Sequence, residues 1–367
     1  MILLFRHVNP VRPGPPLRSL FHASRNIKPR TTYPAIHLPS LSLSTTARRA
    51  MATITLKRTG DKMPIVGLGL WKIPRPQCAD TVYNALKAGY RLLDGAGDYG
   101  NEKEAGEGLA RAIKDGIVKR EEVFVTTKLW NTYHKKERVH ELVKFQLGLW
   151  GIDYFDLFLI HFPVALQDVA IKDKYPPEWW GLDGNVHPTN IPIRETWEGM
   201  EEICELGHAK NIGVSNFQGS ILIDVLRYAR IPPVVNQVEL HPYLSQKKLV
   251  ALCKELGVAV TAYSSLGPQG YYELGVDTGH PSLLKHDVVT SIAQASGKTP
   301  AQVILRWAVQ QDIAVIPKSN SHERLVSNLE VTSFDLTPEQ VQQIDGLNIN
   351  LRLNDPQDIH PGLGVFA

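Results

Sequence analysis

From residue 52 onward the chain alternates between short, nearly continuous apolar runs and longer segments in which apolar residues recur every three or four positions. The runs are Ile65–Trp71, Tyr90–Ala96, Val123–Trp130, Phe155–His161, Ala209–Ser215, Val234–Leu240, Val258–Tyr263 and Ile313–Lys318. Apolar residues at successive positions fit parallel strands covered on both faces. The intervening segments, among them Glu102–Ile113, Lys136–Leu149, Arg194–Leu206, Gln246–Leu256 and Pro300–Gln310, carry helical periodicity. Eight strand-then-helix units predict an α/β fold, a (β/α)8 TIM barrel. A hairpin precedes it, with Thr53–Arg58 and Met63–Val66 flanking Thr59-Gly60-Asp61-Lys62. An open dinucleotide-binding sheet is disfavoured, because Gly67-Leu-Gly69 lacks the third glycine of that fingerprint. Two stretches without periodicity, Val164–Ile193 and Leu347–Ala367, are expected as long loops over the C-terminal ends of the strands.

The 367 residues suit one barrel with insertions, and 43% apolar residues suffice for a full core. No apolar run approaches the roughly 18 residues of a membrane span, so no membrane partner is expected. The net charge of +3 hides an asymmetry. Residues 1–50 hold eight basic residues and no acid, so the remaining 317 carry a net −5. A mildly acidic body offers no electrostatic reason to bind nucleic acid. The first 50 residues, rich in Pro, Ser and Thr, are expected to be a disordered extension ahead of a 51–367 barrel domain. Arg and Ser without acids is the composition of a mitochondrial transit peptide, while Pro10, Pro13, Pro15 and Pro16 oppose a helix there and Met51 offers a second start. Both readings stay open: a cytoplasmic protein, or mitochondrial import if the extension is a transit peptide. Cys78, Cys204 and Cys253 read as reduced helical residues, and no Cys/His spacing suggests a metal site.

Polar residues stand where the apolar runs end. Gly89-Tyr-Arg-Leu-Leu-Asp-Gly-Ala-Gly-Asp-Tyr-Gly-Asn-Glu102 places Asp94 and Tyr99 five residues apart, at the passage from strand to turn. Lys128 closes Glu122-Val-Phe-Val-Thr-Thr-Lys128, and His161 closes Phe155-Asp-Leu-Phe-Leu-Ile-His161. Lys and His behind apolar strands are costly to bury without partners or a task. In a barrel these ends form the active-site face. Asp94, Tyr99, Lys128 and His161, at spacings of 5, 29 and 33, resemble the catalytic tetrad of the aldo-keto reductases. Carbonyl reduction needs a hydride that no side chain supplies, so a nicotinamide is implied. Tyr99 can give the proton, with Lys128 expected to lower its pKa from about 10 and Asp94 to hold Lys128 charged and aimed. His161 can donate a hydrogen bond to the substrate oxygen. The resemblance implies the same four roles.

It also implies a cofactor site. Ser215 and Asn216, in Gly213-Val-Ser-Asn-Phe217, would hold the carboxamide with Gln237. Tyr263 would stack on the ring, with Ser264, Ser265, Leu266 and Glu273 also against the cofactor. Read from the residues alone, Ser215 and Asn216 serve equally well as a helix cap. Ile316-Pro-Lys-Ser-Asn320 with Arg324 and Asn328 turns from a strand into a helix, where backbone amides and two cations face an anion. This suits the 2′-phosphate of NADPH on Lys318, Ser319 and Arg324. Glu273 would instead accept from the ribose hydroxyls of NADH, so both cofactors are expected, NADPH preferred.

Asp98, Phe162-Pro163, Lys174-Tyr-Pro-Pro177, Tyr263-Ser-Ser-Leu-Gly-Pro-Gln269 and Leu351-Arg-Leu-Asn-Asp-Pro356 are similar to segments of the xylose reductases of yeasts and filamentous fungi. That resemblance implies reduction of an aldose, D-xylose to xylitol. Asp98 and Asn354 would bind sugar hydroxyls, and Trp71, Trp130 and Phe162 would wall the pocket. Alternatively, Asp98 is a helix cap and the aromatics are core. Gln357, Leu266 and Leu353 replace aromatics common in that group. The rival readings are a general aldehyde, arabinose or glyceraldehyde reductase, and a non-catalytic nucleotide-binding regulatory subunit. The sequence leaves monomer or homodimer open.

Overall fold

The central parallel strands are buried along most of their length. The computed structural model describes residues 52–367; the 1–50 extension, with its transit-peptide and alternative-start readings, lies outside the described residues. A short antiparallel hairpin, β1 (Thr53–Thr55) and β2 (Lys62–Pro64), comes first. The barrel strands are β3 (Leu68–Gly69), β4 (Leu92–Asp94), β5 (Phe124–Leu129), β6 (Phe155–Ile160), β7 (Ala209–Ser215), β8 (Val235–Glu239), β9 (Ala259–Tyr263) and β10 (Ile313–Val315), all parallel and paired in sequence order. The ring closes where Val66 bridges Val315 and the Gly67 N–H donates to the Val315 carbonyl at 2.8 Å.

The helices are α1 (Arg75–Ala88), α2 (Glu102–Lys114), α3 (Lys136–Trp150), α4 (Ile193–Glu205), α5 (Gly219–Tyr228), α6 (Lys247–Leu256), the single turn α7 (Gln269–Tyr272), α8 (Asp287–Ser296), α9 (Pro300–Val309), α10 (His322–Leu329) and α11 (Pro338–Asp345). Local chemistry sets their ends. Thr299 caps α9 through a reciprocal bond with Gln302, with Pro300 at the first helical position. Gly151, at φ 63°, stops α3.

The eight expected strands all form, several of them shorter than the apolar runs. Ile65–Trp71 contracts to β3 and Ile313–Lys318 to β10. Pro317 has no N–H for the ladder, which therefore ends beside it, and the chain beyond turns outward to form the mouth. Close approach also matters at the seam: a Cβ on Gly69 would lie 2.4 Å from the Ile316 carbonyl oxygen, so only glycine lets β3 meet β10. Residues 164–192 form the expected long connection between β6 and α4, pinned by a bridge between Leu166 and Pro188. The three cysteines are free and lie on α1, α4 and α6.

Candidate active site

The ends of three neighbouring strands bring the four polar residues together. Asp94 ends β4, Lys128 is the penultimate residue of β5, His161 follows β6, and Tyr99 closes the 3-10 turn Gly97–Tyr99. Lys128 is 1% exposed, and its ammonium donates to Asp94 Oδ1 at 2.6 Å, the Gly95 carbonyl at 2.7 Å and the Tyr99 hydroxyl at 3.3 Å. Three protons thus meet three acceptors. Because the Tyr99 oxygen accepts from Lys128, its own proton stays free for another acceptor.

The expected lowering of the Tyr99 pKa is corrected by the structure. Burial holds the phenol well above its usual value, and the Asp94 and Asp98 carboxylates push in the same direction. Desolvation is the main reason, and Lys128, whose charge is already matched by Asp94, does not offset it. His161 Nδ1 lies 3.4 Å from Asp98 Oδ1 without the alignment of a hydrogen bond. Its ring stacks on Phe162 at 5.0 Å and meets the edge of Trp130 at 5.2 Å.

Gln237, expected at the carboxamide, donates from Nε2 to Asp94 Oδ2 at 2.6 Å. Both carboxylate oxygens of Asp94 are therefore engaged. Ser215 donates to the Gln237 carbonyl at 2.8 Å. Asn216, at φ 66°, donates to the His161 carbonyl at 2.9 Å and accepts from the Tyr263 hydroxyl at 2.6 Å. Neither residue caps α5, whose N-cap is Gln218. Ser264 takes a left-handed φ of 49°, Ser265 donates to the Ala262 carbonyl, and Leu266 is half-buried.

The charged part of the site contains a residue that sequence reasoning missed. Lys72 directly follows Trp71, donates to the Gly270 carbonyl at 2.6 Å and lies 3.6 Å from Glu273 Oε2. Lys318 approaches the same oxygen at 3.8 Å. Burial is the main cause of the lowered Lys72 pKa, with Lys318 adding to it against the pull of Glu273. A cation just after an apolar strand, the signal that marked Lys128, was available for Lys72 too. Arg324 donates to Ser319 Oγ at 3.4 Å, Ser319 and Asn328 are buried, and Asn320 turns its amide to Gln77 on α1. Two lysines around one carboxylate, with Arg324 at the start of α10 bonded to Ser319 next to Lys318 in sequence, leave an excess of positive charge. This donor set fits the phosphates of a nicotinamide nucleotide.

Aromatic side chains cluster around His161. Trp130 and Phe162 are buried, and Trp179 of the long connection lies 5.0 Å from each. Trp71 is half-buried and edge-on to Tyr271. Asp98 lies in the 3-10 turn and does not cap α2, which starts after Asn101. Several bonds tie the connection down, and two of them lie beside the site: Trp130 Nε1 donates to the Glu178 carbonyl at 3.0 Å, and the Tyr175 hydroxyl donates to Glu102 Oε2 at 2.7 Å. Glu102 is buried and also accepts from Thr127, Gln146 and Trp150. From the C-terminal segment, Asn354 Nδ2 reaches the Tyr263 hydroxyl at 3.4 Å.

The chain is similar to several known proteins. A probable NAD(P)H-dependent D-xylose reductase of Aspergillus clavatus is 53% identical over 309 residues, covering 83% of this chain and 94% of its own. Its counterpart in Emericella nidulans is 51% identical over 319 residues, covering 86% and 100%. The crystal structure of a Bombyx mori aldo-keto reductase in complex with NADP superposes with a TM-score of 0.75 at 36% identity, covering 84% of this chain and 96% of that one. The sequence pattern of the aldo/keto reductase family matches residues 65–349. With a match over that span and relatives at this identity, the chain belongs to the aldo/keto reductase family.

Proposed function

We propose that this protein reduces the open-chain aldehyde of aldoses, D-xylose to xylitol above all, with NADPH preferred over NADH. The observation that carries the reading is the Lys128 ammonium shared among Asp94, Gly95 and the Tyr99 hydroxyl at the barrel mouth. The relatives named D-xylose reductases support the substrate, and the NADP complex of the Bombyx mori protein supports the cofactor. When bound, the nicotinamide supplies hydride to the carbonyl carbon.

Tyr99 gives its proton to the substrate oxygen as negative charge grows there. Lys128 stabilises the phenolate left behind, and Asp94, fixed by Gln237, keeps that ammonium in place. His161 orients the carbonyl. Trp71, Trp130 and Phe162 exclude water, while Asp98 and Asn354 take the hydroxyls of the chain. Ser215, Asn216 and Tyr263 would hold the nicotinamide, and Lys318, Ser319 and Arg324 the 2′-phosphate. Steady-state rates with xylose, arabinose and glyceraldehyde, each with NADPH and NADH, test the reading. Equal efficiency on all three would favour a general aldehyde reductase, and no turnover at all a nucleotide-binding regulatory role.

Cofactor choice turns on charge. Lys318→Met or Arg324→Ala should raise KM for NADPH about ten- to a hundredfold and KM for NADH little, because only NADPH offers a phosphate to these cations. Glu273→Ala should weaken NADH and spare NADPH. Equal rises in both KM values for Lys318→Met would show that Lys318 serves structure and not the phosphate.

Residues 51–367 form the catalytic unit in this reading. A chain starting at Met51 is expected to match the full chain in kcat/KM and melting temperature. A clear drop in either would show that residues 1–50 contribute to the body.

A further inference from the structure

Glu239 is the last residue of β8, and its side chain is fully buried. No lysine or arginine is paired with it among the described ion pairs; its side-chain hydrogen-bond partners are a histidine and backbone amides, with the Tyr263 and Tyr271 phenols nearby. His241 Nε2 lies 2.9 Å from Oε1. The Leu353 N–H donates to both oxygens, at 2.9 and 3.1 Å, and the Asn354 N–H donates to Oε2 at 3.0 Å. These donors come from a segment more than a hundred residues away that has neither helix nor strand of its own at that point. Gln246, in a left-handed conformation at φ 46°, reinforces the junction: it donates to the Glu239 carbonyl at 2.6 Å and accepts from Arg352 at 3.3 Å. The Ile349 and Leu351 amides both donate to the Tyr243 carbonyl.

A buried carboxylate left without its donors is costly, so the amides of Leu353 and Asn354 are held where the carboxylate needs them. The position of the Asn354 backbone is thereby set to within a hydrogen bond. Its side chain reaches Tyr263, which in turn donates to Asn216, which donates to the His161 carbonyl. We infer that Glu239 is a positioning residue for sugar recognition, anchoring the C-terminal segment so that Asn354 meets the substrate's hydroxyls. This rests on the reading of Asn354 as a substrate contact. A tail fixed by ordinary surface contacts would give a diffuse pocket; one fixed by a buried anion gives a definite one.

The test uses Glu239→Gln, which puts an amide group against two N–H donors. KM for xylose is expected to rise about tenfold or more, as for loss of hydrogen bonds to a charged group. kcat and KM for propanal, which has no hydroxyls to recognise, should stay within about twofold. Hydrogen exchange at the Leu353 and Asn354 amides should accelerate while that of β8 does not. Parallel losses on both substrates, or unchanged exchange, would overturn the anchor. If Glu239→Gln does not fold, Arg352→Ala must show the same split at smaller size; its absence there overturns the proposal as well. Asn354→Ala separates the two layers. If it leaves the xylose KM unchanged, the substrate-contact reading fails. If it raises that KM while Glu239→Gln does not, only the anchor fails. When both hold, the double variant is less than additive, because a misplaced Asn354 has little left to lose.

Discussion

Tyr99→Phe is expected to lower kcat by about 10²–10⁴-fold, the usual contribution of a general acid, with the Kd for NADPH nearly unchanged. The phenol accepts from Lys128 and keeps its own proton free, so the substitution removes a proton and little packing. Its pKa, held high by burial and by the Asp94 and Asp98 carboxylates, sharpens the expectation. A phenol so held does not ionise spontaneously near neutrality; it releases its proton only to an oxygen that is becoming an alkoxide. The reduction rate should therefore not begin to fall at the ordinary phenol pKa of about 10. Retention of more than about a tenth of wild-type turnover by the Phe variant would remove Tyr99 from the role of proton donor.

The second large effect concerns the ion pair beneath it. Lys128→Met should cost about 3–5 kcal/mol of stability, because Asp94 would remain as a buried carboxylate without its cation. Gln237 still donates to Asp94 Oδ2, but a neutral amide does not replace an ammonium at 2.6 Å. Turnover should fall at least about 10²-fold, since the charge that stabilises a phenolate is gone. Stability and activity can be told apart with the double variant Lys128→Met/Asp94→Asn. Removing both charges should recover much of the melting temperature and none of the turnover. Were activity to return with stability, Lys128 would matter only as a structural partner.

Much of this was legible along the chain. Eight apolar runs separated by helical periodicity point to parallel strands under helices, and the count of eight without a dinucleotide-binding glycine fingerprint points to a barrel over an open sheet. The ends of those runs pointed to the chemistry, since Asp94, Lys128 and His161 are polar groups arriving at a buried mouth and each needs a partner. Resemblance of segments such as Leu351-Arg-Leu-Asn-Asp-Pro356, despite Leu353 where an aromatic is common, narrowed the family further. The cost of burying charge is a local property of residue type and neighbours, and so it can be read without coordinates.

Which partner each group takes was decided only in three dimensions. Gln237, expected at the cofactor, also donates to Asp94 across 143 positions. Glu273 is shared by Lys72 and Lys318, a pairing across some two hundred residues for Lys72 that residue type alone does not reveal. Glu102 holds the long connection through Tyr175, and Glu239 holds the tail through two backbone amides. The direction of the Tyr99 shift likewise depends on how completely the barrel mouth encloses the phenol and on Lys128 being already matched by Asp94. Periodicity records which face of an element is buried; it carries no trace of which distant polar groups are brought within three ångströms of one another, and those pairings are set by the closure of the ring.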